Sequence, residues 1–242
     1  MKKQIPNIIT LSNLTCGVIA TYFAVIGALD TAALFICLGI FLDFFDGLSA
    51  RILKVTSSLG KELDSLADVV TSGVAPAFIL FHILKASSIA WLPYLALLIP
   101  AFSAYRLGKF NIDIRQSHSF LGLPVPANAL IWASLGVYYI CSPITDIALL
   151  NINNIHLWLF SPIGLIIISI ASILLDILMI SEVPMFALKF KNLTWKENKL
   201  RFIFLITSIA IILLFGIVGL AIVILYYICL SILTQKPIKD EQ

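Results

Sequence analysis

Charged residues are scarce in this sequence. Asp, Glu, Lys and Arg make up only 12% of its 242 residues, whereas 60% are hydrophobic and the mean hydropathy is +1.04. A soluble domain has roughly 25% charged residues, and so few charges cannot cover the outside of a water-soluble fold of this size. The sequence therefore predicts an all-α, polytopic membrane protein whose outer surface faces lipid.

Cysteine and histidine are also rare. There are three histidines, and the cysteines show no CxxC spacing, which argues against a zinc site and a disulfide framework. The cysteines lie far apart in apolar stretches: Cys16, Cys37, Cys141 and Cys229. The net charge of +3 comes from basic residues scattered through short loops, which is typical of a topology signal, so we expect no nucleic-acid partner.

Long apolar runs dominate what remains. A membrane-spanning helix needs about 20 apolar residues, and eight such runs are expected: 8–29, 32–53, 62–84, 88–108, 124–141, 156–181, 202–216 and 217–235. Polar residues interrupt the first run and no cleavage site follows it, so we expect a retained span rather than a signal peptide.

The last two runs are continuous in sequence. As one helix, residues 202–235 would be about 50 Å long, well beyond a hydrocarbon core of about 30 Å. We therefore expect a division near Gly216 and Gly219, and the alternative is one long, tilted helix. This division also places all Lys and Arg residues except Lys85 on the side of the N-terminus. The positive-inside rule then predicts an inner-membrane protein whose N-terminus and site face the cytoplasm.

Four aspartates lie at the edges of two apolar runs. Asp43 and Asp46 are three residues apart and Asp64 and Asp68 are four apart, so each pair lies on one helical face. A short turn joins the two helices, which brings the pairs together. Carboxylates beside hydrocarbon are costly, and a divalent cation offsets their mutual repulsion.

The residue types indicate which cation. Oxygen ligands without histidine or cysteine suit Mg²⁺ or Mn²⁺, and four aspartates can hold two ions, an arrangement used for phosphoryl displacement. Two other classes use intramembrane acids. An ion-coupled transporter would place them near the membrane midplane, and an intramembrane prenyltransferase would need a second aspartate-rich motif, which does not follow Asp68.

Small and basic residues surround the aspartates. Gly47 and Ala50 let a bulky group approach the helix backbone, Arg51 offers a planar fork for phosphate, and Gly60 leaves space opposite. A second set near the N-terminus has a spacing of three residues, and we expect it either to line the same site or to anchor the helix at the membrane interface: Asn7, Thr10 and Asn13.

The pattern Asp43-x-x-Asp46-Gly47-x-x-Ala50-Arg51, eight residues, Gly60-x-x-x-Asp64-x-x-x-Asp68 resembles the signature of the CDP-alcohol phosphotransferases without a departure. The resemblance implies a membrane enzyme with a six-helix core that moves a phosphatidyl or similar group from a CDP-linked donor to an alcohol. By position it implies that all four aspartates bind metal, that Asp68 is also the general base, and that Gly47, Ala50, Arg51 and Gly60 bind the cytidine diphosphate.

Other segments resemble the phosphatidylserine synthase branch of that family. These are the opening IPNIITLSNLTCG, a late arginine followed by Phe-Asn, and a Gly-Leu-Pro-x-Pro-Ala loop. They imply CDP-diacylglycerol and L-serine as substrates, with glycerol 3-phosphate or inositol phosphate as alternative acceptors. The residues expected at the acceptor are Arg106, Lys109 and Asn111, although Arg106 and Lys109 also fit simple topology signals or donor binding.

The chain is expected to divide into a membrane domain at 1–182, which contains the six-helix core, and a C-terminal loop with a transmembrane hairpin at 183–242. We also expect a homodimer. Asp176, late in the sixth run, is an intramembrane acid for which a site role or a dimer contact is the functional hypothesis.

Overall fold

The computed structural model describes residues 4–55, 57–112, 120–141, 152–185 and 194–234. Within these ranges the chain forms ten α-helices and two very short strands. The helices are α1 (Gln4–Ile26), α2 (Leu29–Leu53), α3 (Ser58–Asp68), α4 (Ala75–Leu84), α5 (Leu98–Ile112), α6 (Val125–Cys141), α7 (Ile152–Leu159), α8 (Pro162–Ile180), α9 (Trp195–Phe215) and α10 (Gly219–Thr234). The all-α membrane architecture is confirmed.

Helices α1 and α2 form a tight hairpin. Four alanines are fully buried along the helices: Ala20, Ala24, Ala32 and Ala33. Small residues at these positions let two membrane helices approach closely. The turn between the helices contains Gly27 at φ +86°, a left-handed conformation that favours glycine. The hairpin brings the start of α1 and the end of α2 to one end of the bundle.

The third span is one helical run, Ser58–Leu84, with a wider turn in its middle. Between α3 and α4, residues Val69–Val74 form a π-helical segment in which the Ala75 amide donates to the Val70 carbonyl. Pro76 follows at the start of α4. Because proline has no N–H and clashes with the preceding turn, it favours this departure from α-helical geometry. The run begins where the Ser57 hydroxyl accepts a bond from the Gly60 amide, a typical N-cap.

The outer surface of the bundle is apolar. On α8, one face is buried and the opposite face is exposed, and the exposed face consists of large aliphatic residues: Ile163, Ile166, Ile167, Ile170, Leu174 and Ile177. Such a continuous exposed apolar face on a folded chain indicates contact with lipid. Five helical runs in the described residues are long and apolar enough to cross a membrane: Gln4–Ile26, Leu29–Leu53, Ser58–Leu84, Pro162–Ile180 and Asn198–Thr234. The total of eight spans stays a prediction.

Two predicted spans have different boundaries in the structure. The span expected at 88–108 begins as a 3₁₀ helix over Leu92–Leu97 and continues as α5 to Ile112. The prediction of a single helix at 156–181 was wrong, because the helical run is interrupted between α7 and α8. There Ser161 caps α8 by accepting a hydrogen bond from the Gly164 amide, and Pro162 takes the first helical position, which proline favours.

The C-terminal apolar run folds as two helices, α9 and α10. The rings of Phe204 and Tyr226 stack with their centroids 5.5 Å apart, whereas a continuous helix would separate these residues by about 33 Å. The chain turns at Gly216, which has φ +59°. The run therefore divides at the expected position, and the long tilted helix is excluded.

A small β-pair ties two connections together at the end of the bundle where α5 and α8 finish. Strand β1 (Phe120–Leu121) pairs antiparallel with β2 (Pro184–Met185). The Gly122 amide donates to the Val183 carbonyl at 2.9 Å, and Gly122 has φ +71°.

Several basic residues in the described ranges lie where the topology prediction expects them. Arg51, Lys54, Lys61 and Lys109 lie near the end of the bundle that carries the β-pair, and Lys85 follows α4 at the opposite end of the bundle. Several other residues used for the orientation lie outside the described ranges: Lys2, Lys3, Arg115, Lys189, Lys191, Lys236 and Lys239.

Candidate active site

Three of the four aspartates form a cluster where α2 meets α3. Asp43 and Asp46 lie on one face of α2, and Asp64 lies on the facing side of α3. Each can offer a carboxylate oxygen, and these oxygens lie within 4.8 Å of one another. Asp46 is buried, with 7% of its surface exposed. The two helix ends lie close together, as the spacing predicts.

The cluster fits a divalent metal ion. Its donors are carboxylate oxygens alone, which suits Mg²⁺ or Mn²⁺. One of them, Oδ1 of Asp64, is buried and has no hydrogen-bond partner in the described residues. A buried carboxylate oxygen left without a donor is costly, and a cation shared with the other two carboxylates removes that cost. Which ion binds, and how many, stays a prediction.

Asp68 lies one turn deeper on α3 and is 9% exposed. Its Oδ1 accepts a hydrogen bond from Nδ2 of Asn13 at 3.4 Å. Among the described residues Asp68 is not part of the cluster of three, and it interacts electrostatically with Asp64, Asp46 and Arg106. It therefore lies close to both the carboxylate cluster and Arg106 of α5.

A pocket of about 500 Å³ opens beside the cluster. Its walls come from the first turns of α1, the end of α2, the connection and the start of α3. The lining residues are Pro6, Asn7, Thr10, Asp46, Gly47, Ala50, Val55, Ser57, Ser58, Gly60, Lys61 and Asp64. A pocket of this size suits a small molecule or a nucleotide head group.

Five of the seven residues expected at the nucleotide line this pocket: Asn7, Thr10, Gly47, Ala50 and Gly60. The Thr10 hydroxyl lies between the Pro6 carbonyl and Oδ2 of Asp46 and hydrogen-bonds to both. A Cβ atom on Gly47 would meet nothing within 4 Å, so this position leaves open space toward the pocket. Their contact with a nucleotide stays a prediction.

The other two expected residues are placed differently. Arg51 is exposed and is not among the lining residues, since its Nε donates to the Gly47 carbonyl at 3.0 Å. Asn13 is fully buried behind the pocket, where it contacts Asp68. The structure therefore gives Asn13 a carboxylate partner instead of a place in the pocket wall.

The residues expected at the acceptor lie on the last turns of α5. Arg106 is 7% exposed, its Nε has no partner in the described part of the chain, and its guanidinium carbon lies 5.7 Å from the centre of the Phe110 ring. It interacts electrostatically with Asp68 and with Tyr227 of α10. Lys109 forms an ion pair with Glu182 at 3.3 Å.

Asn111 links α5 to α3 through two hydrogen bonds. Its Nδ2 donates to the Ser65 hydroxyl at 2.8 Å, and its main-chain carbonyl accepts from Nζ of Lys61 at 2.8 Å. These two bonds fix the end of α5 against α3. Asn111 can therefore hold the end of α5 in position, and its contact with an acceptor stays a prediction.

Asp176 is 1% exposed, and both of its carboxylate oxygens lack a partner in the described residues. Its side chain lies inside the chain's own core, which argues against a direct dimer contact, and a site role for Asp176 stays a prediction.

Sequence reasoning missed some residues of the site. Lys61 and Ser57 line the pocket, and Thr71 contacts Asn13. The signal for Ser57 was present, because a serine directly before a helical run is a typical N-cap. Thr71 gave no signal, since a threonine within an apolar helix looks like ordinary packing.

Comparison with known proteins agrees with this geometry. The family model described as CDP-alcohol phosphatidyltransferase matches residues 3–159. A Bacillus subtilis (strain 168) protein named CDP-diacylglycerol–serine O-phosphatidyltransferase is 38% identical over 139 residues, which cover 56% of this chain and 76% of that protein.

Relatives of the same name come from other organisms. One from Helicobacter pylori (strain J99) is 35% identical over 128 residues, covering 52% of this chain and 54% of the relative. One from Methanocaldococcus jannaschii is 36% identical over 127 residues, covering 52% of this chain and 57% of the relative. The match thus spans just over half the length of these two relatives. Since the family model covers the aspartate cluster, the pocket and most of α1 to α7, the chain belongs to the CDP-alcohol phosphatidyltransferase family.

Proposed function

We infer that this protein transfers a phosphatidyl group from CDP-diacylglycerol to L-serine and releases phosphatidylserine and CMP. Relatives with that name come from Bacillus subtilis, Helicobacter pylori and Methanocaldococcus jannaschii, and the family model covers the site. The observation that carries the inference is the cluster of Asp43, Asp46 and Asp64 beside a pocket of about 500 Å³ at a helix end. An ion-coupled transporter would not need this nucleotide-sized pocket.

The donor binds with its cytidine diphosphate in the pocket and its acyl chains in lipid. Gly47, Ala50 and Gly60 supply the open wall, and Lys61 supplies a positive charge for phosphate. Asp43, Asp46 and Asp64 would hold one divalent ion, and a second ion would take Asp68 as a further ligand. Ions bound there offset the negative charge on the phosphate oxygens.

Asp68 acts as the general base. It is close to both the cluster and Arg106, so a serine held near Arg106 could present its hydroxyl to this carboxylate. Asp68 takes the hydroxyl proton, the serine oxygen forms a bond to the lipid-linked phosphorus, and the bond from that phosphorus to CMP breaks. Positioning and charge neutralisation supply most of the rate enhancement in such displacements.

Arg106 binds the carboxylate of serine. Its buried guanidinium has an Nε without an acceptor in the described residues, and a carboxylate matches the planar fork of arginine. Lys109 and Asn111 lie within two turns of Arg106 on the same helix. Glycerol 3-phosphate offers a phosphate instead of the carboxylate and ammonium of serine, which makes it the natural competitor in an assay.

The protein lies in the inner membrane with the site on the cytoplasmic side. The distribution of Arg51, Lys54, Lys61 and Lys109 against Lys85 supports this orientation. A homodimer is part of the same proposal, and chemical crosslinking in native membranes tests it.

The decisive experiment compares acceptors. Purified protein in lipid nanodiscs with Mn²⁺ is given labelled CDP-diacylglycerol and, in parallel, L-serine, glycerol 3-phosphate or inositol phosphate, and CMP release is followed. Of the three acceptors, only serine should give CMP and labelled phosphatidylserine. If only another acceptor supports turnover, the family assignment stands and serine is refuted as the acceptor. The Asp30→Asn variant, at the other end of α2, is the control and should behave as the unaltered protein.

A further inference from the structure

Thr71 lies in the π-helical segment that directly follows Asp68. Its side chain is fully buried, and its hydroxyl donates to the main-chain carbonyl of Asn13 on α1 at 3.0 Å. This bond joins the third span to the first. It is unlike the hydroxyl bonds of Thr15 and Thr21, which go to carbonyls four residues back in the same helix.

Two glycines let the three helices meet at Thr71. A Cβ atom on Gly17 of α1 would lie 2.7 Å from the Thr71 Cα atom. A Cβ atom on Gly39 of α2 would lie 2.5 Å from Cγ2 of Thr71 and 2.8 Å from Oδ1 of Asn13. All three distances are shorter than ordinary van der Waals contacts, so the helix crossing has no room for a side chain at Gly17 or Gly39. The Asn13 amide is therefore confined between Gly39 and Asp68.

Asn13 transmits this confinement to the site. It is fully buried, its backbone is bonded by Thr71, and its Nδ2 donates to Oδ1 of Asp68 at 3.4 Å. A carboxylate that must accept a proton from a bound alcohol has to be aimed to within a fraction of an ångström. A second shell of fixed hydrogen bonds provides such an orientation.

We propose that Thr71 is a positioning residue for the transfer reaction: its bond to α1, together with the close contacts at Gly17 and Gly39, fixes Asn13 so that Asn13 orients Asp68. This proposal rests on the proposed function, because Asp68 has to act as the base. Pi-helical turns occur often at functional sites, and here the turn brings Thr71 to the crossing. Neither Thr71 nor Asn13 belongs to the cluster of Asp43, Asp46 and Asp64.

The test removes the hydroxyl and keeps the shape. We expect Thr71→Val to lower kcat about tenfold, while the KM values for CDP-diacylglycerol and serine stay within about twofold, since the contact matters in the transition state. Thr71→Ser keeps the hydroxyl and should retain near-normal kcat. Thr207→Val is the matched control, because its hydroxyl bonds only within α9.

Two further readouts separate positioning from folding. Binding of the first Mn²⁺ ion to the protein without substrate, followed by electron paramagnetic resonance, should be the same in Thr71→Val as in the unaltered protein, because Asp43, Asp46 and Asp64 would hold that ion without Asp68. The unfolding temperature identifies a variant that does not fold, in which case Thr71→Ala takes its place. The proposal is overturned by an unchanged kcat in Thr71→Val, by an equal loss in Thr71→Ser, or by weaker binding of the first Mn²⁺ ion in parallel with the loss.

Failure of the positioning proposal is distinguishable from failure of the proposed function. If the unaltered protein uses another acceptor, the same comparison is made with that acceptor. If it releases no CMP with any acceptor, the proposed function fails, and the positioning proposal fails with it.

Discussion

Replacing Asp64 by asparagine should stabilise the metal-free protein and abolish its response to metal. Asp64 faces Asp43 and Asp46 across the α2–α3 contact, and its Oδ1 is buried without a partner in the described residues. Asparagine has nearly the same shape and no charge. The substitution therefore removes repulsion from the metal-free state and removes a ligand from the metal-bound state.

The magnitude follows from the distance. Two unit charges 4.8 Å apart repel by about 3.5 kcal/mol at an effective dielectric constant of about 20. Asp64 takes part in two such pairs. Water in the open pocket screens them, so we expect about 1 kcal/mol from each pair to reach the free energy of unfolding. For a chain of this size, about 2 kcal/mol corresponds to roughly 4–8 °C in the unfolding temperature.

The assay is thermal unfolding of the protein in nanodiscs, with EDTA and with saturating Mn²⁺. The unaltered protein should unfold at a higher temperature with Mn²⁺, since an ion at 100 times its dissociation constant contributes about 2.7 kcal/mol. Asp64→Asn with EDTA should unfold above the unaltered protein with EDTA. Added Mn²⁺ should then shift Asp64→Asn little, and CMP release should fall by about 10²–10³-fold, by analogy with loss of a single transition-state contact.

Asp30→Asn provides the control, because Asp30 is an exposed acid in the first turn of α2. It should keep the full Mn²⁺ shift. The reasoning is refuted if Asp64→Asn is less stable than the unaltered protein in EDTA, or if Mn²⁺ stabilises both equally. Either result would mean that the three carboxylates do not share an ion.

Three further predictions test other parts of the site. Asp68→Asn should fold and bind CMP yet form no lipid, and near-normal turnover would remove the proposed base. Gly47→Ala should raise the KM for CDP-diacylglycerol at least about tenfold without lowering the unfolding temperature, because its added methyl group enters open pocket space and alanine is favoured over glycine inside a helix; an unchanged KM would place the nucleotide elsewhere. Lys109→Met should raise the KM for serine if Lys109 contacts the acceptor, whereas Glu182→Gln, which breaks the same exposed ion pair, should leave KM unchanged and cost less than about 1 kcal/mol of stability. Equal effects of the two variants would assign Lys109 to the ion pair alone.

Much of the site was predictable because it is encoded by local spacing. Residues three or four apart share a helical face whatever the helix packs against, so the facing of Asp43 and Asp46 toward Asp64 follows from the sequence and one short turn. Gly47, Ala50 and Gly60 reached the pocket for the same reason. The apolar runs likewise predicted the membrane fold, because lipid requires continuous apolar helices.

Predictions that depended on the partner of a side chain were less successful. Asn13 has the same three-residue spacing as Asn7 and Thr10, yet it points at Asp68 because Gly39 leaves room on that side. Arg51 donates to the carbonyl of Gly47 instead of lining the pocket. Asn111 bonds to Ser65 across a helix contact that the sequence does not reveal.

The sequence by itself determined that the chain is a helical membrane protein, where most of its helices run, and that Asp43, Asp46, Asp64 and Asp68 are presented in two facing pairs. These properties depend on hydrophobicity and helical periodicity, which are local. Only the tertiary structure decided that three of the four acids form one cluster while Asp68 is held by Asn13, and that Thr71 joins the first and third spans. The bonds from Asn13 to Asp68 and from Thr71 to Asn13 connect residues more than 50 positions apart in the chain, and they arise from the packing of whole helices against one another.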